Sequence, residues 1–232
     1  MPSHARPALQ PSGASTARSG PVIQLPGPYA AVVLDLDGLL VQTEKLWSRA
    51  KEVLFARHDT EYTEADHLAV FGTSDIFTAE YFRHRFGAPP EQMLAIRDEY
   101  MAIADSLFEQ GVEISQGAVE LIDRLSGRVA LALASNTRRP QVEMILRSTP
   151  FRERFDAIVS GDEATPKPAP DLYLLACERL LVAPGDAVAL EDSPTGVAAA
   201  KAAGLTCIGV PSHPDERLAR ADVVVRSLNE LL

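Results

Sequence analysis

The sequence predicts an α/β fold: a parallel sheet covered on both faces by helices, with an all-helical block inserted after the first strand. Three observations carry this. From Gly117 onward, short apolar runs alternate with helical stretches of about ten residues, the rhythm of a parallel βαβ sheet. Between residues 44 and 112 a series of helical patterns runs with no convincing strand. Polar groups gather where the strand-like runs end and are almost absent inside them, and open α/β sheets bind ligands beyond the carboxyl ends of their strands.

The run Ala30–Leu36, β-branched and apolar around Asp35, reads as a fully buried strand. Thr43–Arg57 follows with helical spacing, placing Leu46, Trp47, Ala50, Val53 and Leu54 on one face. Thr63–Phe71, Asp75–Phe86 and Pro90–Phe108 read as further helices, with Gly72 and Gly87 as stops. The alternation then gives a helix over Ala118–Leu125, a strand over Val129–Ala134 and a helix over Pro140–Arg147. A short strand follows at Ala157–Ser160, then a helix over Asp171–Leu181 and a strand over Ala187–Leu190. The pattern closes with a helix over Thr195–Ala203, strands at Thr206–Val210 and Asp222–Val225, and a terminal helix at Leu228–Leu232. There is no internal repeat.

Composition narrows the function classes. Of 232 residues, 46% are hydrophobic and 23% charged, an ordinary globular balance with enough apolar mass for one sizeable core and a small accessory domain. The net charge of −10 disfavours nucleic acid and anionic membrane as partners. No apolar run approaches the roughly 18 residues of a membrane span. Cys177 and Cys207 lie far apart in apolar segments and read as buried, reduced thiols. Residues 1–28 are rich in Pro, Ser, Gly and Ala and contain no acid. A disordered tail is the expected reading, ahead of an organellar transit peptide, and the location expected is cytoplasmic.

The residues at the strand ends suggest the chemistry. Asp35 and Asp37 are two apart, so in extended chain they point the same way, and Gly38 lets the chain bend after them. Glu191 and Asp192 close a second strand. So many carboxylates on one sheet edge repel unless a divalent cation sits among them, and oxygen ligands without histidine or thiol point to Mg²⁺. Ser135 and Asn136 offer hydrogen bonds to a phosphoryl oxygen. Lys167, in the proline-stiffened TPKPAPD, offers a point charge to a phosphoryl group or a neighbouring carboxylate. These parts fit phosphoryl transfer: a carboxylate attacks phosphorus, and a second acid protonates the leaving alcohol and then deprotonates water. Each signal is weak alone, since DxD pairs are common in loops, SN and SPTG suit helix starts, and TPKP is a stiff loop. Their common placement at strand ends lifts the reading.

DLDGLLVQTE, ASNT, TPKPAPDLY and LEDSPTGVAAAKAAG resemble the four motifs of the haloacid dehalogenase superfamily, and within it the β-phosphoglucomutase-like and sugar-phosphatase group. The resemblance covers residues 29–232. It implies a Rossmann-like three-layer core over residues 29–43 and 113–232, with a helical cap over residues 44–112. It makes Asp35 the nucleophile and Asp37 the general acid/base, with Lys167 steadying the nucleophile and the phosphoryl group. Ser135, Asn136 and Gly38 form the phosphate-binding set. Mg²⁺ is expected on the Asp35 carboxylate, the Asp37 main-chain carbonyl and Asp192, with Glu191 beside them. Asp37 favours phosphoester chemistry over dehalogenation.

The chain departs from the group at three points. Gln42 stands where many relatives have Asp, and Trp47 where mutases have a histidine. Gly72-Thr73-Ser74-Asp75 lacks the arginine that mutases place after the glycine. Trp47 is expected in the helical core rather than as a substrate platform, and His58, His67 and His84 at solvated positions. The expected function is therefore Mg²⁺-dependent hydrolysis of a small phosphorylated metabolite, a sugar phosphate, by a monomer or weak homodimer. A phosphomutase is the alternative. A non-catalytic regulator on the same fold, a dehalogenase and a phosphonate hydrolase rank behind it.

Overall fold

The computed structural model describes residues 29–70, 73, 75–211 and 216–232. The expected N-terminal tail and two residues of the Gly72–Asp75 stretch, Gly72 and Ser74, lie outside them. Six strands, β1 (Ala31–Leu34), β2 (Ala130–Ala134), β3 (Ala157–Val159), β4 (Ala187–Glu191), β5 (Thr206–Gly209) and β6 (Val223–Val224), form one sheet in the order β3-β2-β1-β4-β5-β6. Every neighbouring pair is parallel. The chain builds outward from β1 in one direction and then, from β4, in the other. That reversal beside β1 is the switch point where such sheets open a crevice.

Alternation along the strands sorts the two faces. Val32, Leu34, Leu131, Leu133, Val188 and Leu190 point to one side, under α5 (Ala118–Leu125) and α6 (Arg139–Arg147). Ala31, Val33, Ala132, Ala134, Ala187 and Ala189 point to the other, where small side chains let α7 (Asp171–Leu180) and α8 (Pro194–Ala203) pack close. Three layers result.

Between β1 and β2 come α1 (Glu44–Arg57), α2 (Glu64–Val70), α3 (Asp75–Arg85) and α4 (Met93–Phe108). Their core is aromatic: Phe55 meets Tyr62, Phe82 and Phe86 edge-on, and Phe82 meets Tyr100 at 5.5 Å. Trp47 joins it, 5.0 Å from Phe108 and 5.9 Å from Tyr100, as expected for a core residue of this block. His58 is not simply solvated: it stacks on Phe86 at 4.2 Å and pairs with Glu99 at 2.9 Å. The two passages joining the block to the sheet lie side by side. Val41 and Ile114 form an antiparallel bridge, and the Gln42 N–H donates to the Glu113 carbonyl at 2.8 Å. The Gln42 amide donates to Ser115 Oγ at 2.7 Å, which gives that residue a packing task in the passage. Among the described residues no helix is long and apolar enough to cross a membrane.

Most boundaries shift by one to three residues from expectation, and two differences stand out. β1 ends at Leu34 rather than Leu36, because the Leu36 carbonyl accepts from the N–H groups of Leu40 and Val41 and turns the chain out of the sheet. The terminal helix is a short 3-10 turn, Leu228–Leu231.

Asp66 gives the block a pH-dependent element. It is 1% exposed and accepts from Thr63, the Tyr81 hydroxyl and the Arg85 guanidinium. Burial pushes its carboxyl up, but these hydrogen bonds outweigh that and hold it well below the usual carboxylate range. A depressed folded-state value contributes stability above the unfolded value of about 3.9, lost as pH falls through the folded one. Urea midpoints are expected to fall below about pH 4, and Asp66→Asn should remove part of that slope. An unchanged slope in the variant would contradict this.

Candidate active site

The sheet register builds the site. Leu34 pairs with Leu190, so the next residues, Asp35 and Glu191, lie side by side at the carboxyl end of the two central strands. Both share the alternation phase of the alanine-rich face and so turn toward α7 and α8. There they meet Lys167, carried by the loop between β3 and α7 and followed by a cis peptide bond to Pro168. Lys167 Nζ stands 2.5 Å from Asp35 Oδ1 and 2.5 Å from Glu191 Oε1. Asp35 and Lys167 are each 7% exposed and Glu191 is fully buried.

Electrostatics follow from that burial. Desolvation pushes the Asp35 carboxyl well up, opposed by Lys167 and reinforced by the charges of Glu191, Asp192 and Asp37. Desolvation pulls Lys167 down, but Asp35 and Glu191 outweigh it, so its ammonium is held above the ordinary lysine value. Asp192 adds a third acid to this edge: carboxylate oxygens of Asp35, Glu191 and Asp192 lie within 4.8 Å of one another. The clustered negative charge and the all-oxygen donor set fit a hard divalent cation.

Asp37 sits in a ring of hydroxyls. Its Oδ1 accepts from Thr43 at 2.6 Å, and its Oδ2 from Ser135 at 2.9 Å and Thr137 at 2.8 Å. Thr43 is the residue before α1, yet its hydroxyl makes no helix cap and goes to Asp37 instead.

The residues of the expected phosphate-binding set have partners within the protein. The single Ser135 hydroxyl proton is directed at Asp37, while its oxygen accepts the Thr137 N–H at 2.9 Å. The Asn136 side chain clamps the Lys167 backbone, accepting its N–H at 2.7 Å and donating to its carbonyl at 3.1 Å. Gly38 donates its N–H to the Val41 carbonyl at 2.8 Å. It is required there for shape: φ is +81°, and a Cβ would stand 2.0 Å from Asp192 Oδ2. Glu191, expected beside the metal, has its Oε1 committed to Lys167 and the Tyr173 hydroxyl.

Residues 32–210 match the model of the haloacid dehalogenase-like hydrolase family. The chain belongs to that family. It is 37% identical over 216 residues to Protein CbbY of Cereibacter sphaeroides, covering 87% of this chain and 93% of the relative. It is 32% identical over 214 residues to hexitol phosphatase B of Escherichia coli, covering 89% and 96%. The crystal structure of CbbY from Rhodobacter sphaeroides in complex with xylulose-(1,5)bisphosphate superposes with a TM-score of 0.76 at 34% identity, covering 88% of this chain and 96% of that one. This haloacid dehalogenase-like hydrolase is an enzyme of the phosphatase kind, a phosphoric monoester hydrolase.

Four residues of this hydrolase's site carried no assignment from sequence: Thr43, Thr137, Tyr173 and Gly196. All four stand inside the quoted motif stretches, so position was legible and partner was not. Gly196 shows why. It lies in the first turn of α8, where Ser193 Oγ caps its N–H at 3.1 Å, and a Cβ on it would fall 1.9 Å from the Glu191 carboxylate. Gly196→Ala forces that buried group to move and is expected to cost about 1–3 kcal/mol. A thermal melt checks it; an unchanged midpoint would show that the Glu191 pocket yields freely.

Proposed function

We propose that this hydrolase is a Mg²⁺-dependent phosphomonoesterase that turns over a small phosphorylated metabolite, a sugar phosphate, through an aspartyl-phosphate on Asp35. The observation that carries the reading is the Asp35 carboxylate at the switch point, 2.5 Å from Lys167 Nζ, with a second carboxylate two residues on. The Asp35 and Asp192 carboxylates and the Asp37 main-chain carbonyl would hold Mg²⁺, which when bound supplies positive charge that offsets the approach of one anion to another.

Asp35 attacks phosphorus as the bond to the leaving oxygen breaks, and Asp37 delivers a proton to that alkoxide. Water then loses a proton to Asp37 and attacks phosphorus, releasing phosphate and restoring the Asp35 carboxylate. Lys167 balances charge throughout. The Ser135 hydroxyl is a rotor, able to exchange Asp37 for a phosphoryl oxygen. Asn136, Gly38 and Glu191 serve this reading indirectly, through the Lys167 loop, the Asp192 approach and the Lys167 ammonium.

Residues 44–112 act as a cap over the core of residues 29–43 and 113–232, excluding water and selecting the leaving group. Sugar phosphates are favoured because the relatives' names carry a hexitol and a xylulose bisphosphate. Hydrolysis is favoured over a phosphomutase because Trp47, at the mutase histidine's place, packs against Tyr100 and Phe108.

The test is phosphate release from a panel of sugar phosphates. Activity is expected to fall at least about a hundredfold in EDTA and to return with Mg²⁺. Glucose 1-phosphate, where accepted, should yield free phosphate; glucose 6-phosphate as product would establish the mutase, and full activity in EDTA would remove the metal.

A further inference from the structure

We propose that Tyr173 is a positioning residue for the phosphoryl chemistry: its phenol O–H, donated to Glu191, decides how the Lys167 ammonium is divided between Glu191 and Asp35. This rests on the phosphatase reading above and adds a residue to it.

Lys167 Nζ is one charge held at equal distance, 2.5 Å, from an oxygen of each of two buried carboxylates. The division of such a charge depends on what else each acid can bond. Among the described residues, the Asp35 side chain accepts from Lys167 alone. Glu191 Oε1 accepts from Lys167 and from Tyr173, while Glu191 Oε2 accepts from Ser193 Oγ at 3.3 Å. The phenol therefore satisfies part of Glu191's demand with a neutral donor. Without it, the buried glutamate has only the ammonium on that oxygen. The lysine is then drawn toward Glu191 and away from the side chain that must attack phosphorus.

The Tyr173 ring packs in the core of the alanine-rich face, and its hydroxyl is the part that reaches the ion pair. The residue is fully buried in the first turn of α7, six residues beyond Lys167 on the same loop-to-helix passage. Its ring face lies 4.9 Å from Lys167 Nζ, so ring and hydroxyl border the same ion pair from two directions. Phenylalanine keeps the ring, its volume and the contact with the ammonium, and removes only the O–H. Tyr173→Phe is therefore a clean substitution, and its folding is checked by a thermal melt.

With p-nitrophenyl phosphate and saturating Mg²⁺, Tyr173→Phe is expected to lower kcat by about tenfold to a hundredfold, the worth of a hydrogen bond to a charged group, with KM changed less than about twofold. A packing role would not predict that split. The second measurement is a cycle with Glu191→Gln. If the hydroxyl acts through the glutamate charge, adding Tyr173→Phe to Glu191→Gln should cost less than about twofold more in kcat. A folded Tyr173→Phe with wild-type kcat overturns the proposal, and so does an equal loss in both backgrounds. Wild type and Asp35→Asn run alongside. A wild type that releases no phosphate removes the underlying reading and this proposal with it, whereas an active wild type with an unaffected Tyr173→Phe overturns this proposal alone.

Discussion

Asp35→Asn is expected to abolish phosphate release, lowering kcat by at least about 10⁴-fold with any aryl or sugar phosphate that the wild type accepts. The amide has the carboxylate's shape but neither its negative charge nor its nucleophilicity, so the first half-reaction has no attacking group. The effect should be far larger than that of Asp37→Asn on activated aryl esters, whose leaving groups need little protonation. Rapidly quenched wild type should carry a phosphoryl adduct on the peptide containing Asp35, and the variant should carry none. Turnover by the variant, or an adduct mapped elsewhere in the chain, would move the nucleophile from Asp35.

Lys167→Met is expected to damage the fold as well as the chemistry. Lys167 is the cation between fully buried Glu191 and nearly buried Asp35. Removing one partner of a buried ion pair leaves the other desolvated without compensation, at about 3–5 kcal/mol. A denaturant midpoint well below wild type, together with loss of turnover, is the expected result. The sign of the pH dependence is also set. The folded-state value of Lys167 is raised, so its contribution is fully present below the unfolded lysine value of about 10.4 and lost only as pH rises through the folded value. Wild type should therefore lose this contribution only in strong alkali. The variant should gain stability as pH falls and the stranded Asp35 carboxylate, raised by burial, takes up a proton. Adding Glu191→Gln should recover part of the loss by removing one stranded charge. A single variant as stable as wild type would show that water or a shifted side chain replaces the ammonium at no cost.

Local pattern settled much of the architecture. The helix expected over Ala118–Leu125 occupies those residues, and β2 begins one residue later than its apolar run suggests. Helices with one wet face, and strands buried on both, announce themselves by period and length. Position at a strand end was legible for Asp35 and Glu191 for a similar reason: a charge closing an apolar run has only one place to go. Lys167 is instead placed near the strand ends by its proline-stiffened loop. Partnership was not legible. Their place after an apolar run suggests Ser135 and Asn136 as phosphate donors. In the structure Ser135 donates to Asp37, 98 residues away, and Asn136 donates to the Lys167 carbonyl, 31 residues away. The sequence suggests a solvated His58 because its carboxylate partner, Glu99, lies on α4, while His58 follows the end of α1.

The sequence by itself determined the alternation of elements, the interruption of that alternation between β1 and β2, and the set of residues delivered to one edge of the sheet. It could do so because helix and strand periods, turn residues and apolar runs act over a few neighbours. Only the tertiary structure decided which of those residues touch: that Lys167 is shared by two acids, that Tyr173 holds one of them, and that Gly38 and Gly196 are small because Asp192 and Glu191 press against them. Those contacts join distant segments: Lys167 and Asp35 are 132 residues apart, and Gly38 and Asp192 further still. Their energies depend on burial and on distances of a few ångströms, quantities that exist only once the sheet has closed its register and the helices have covered it.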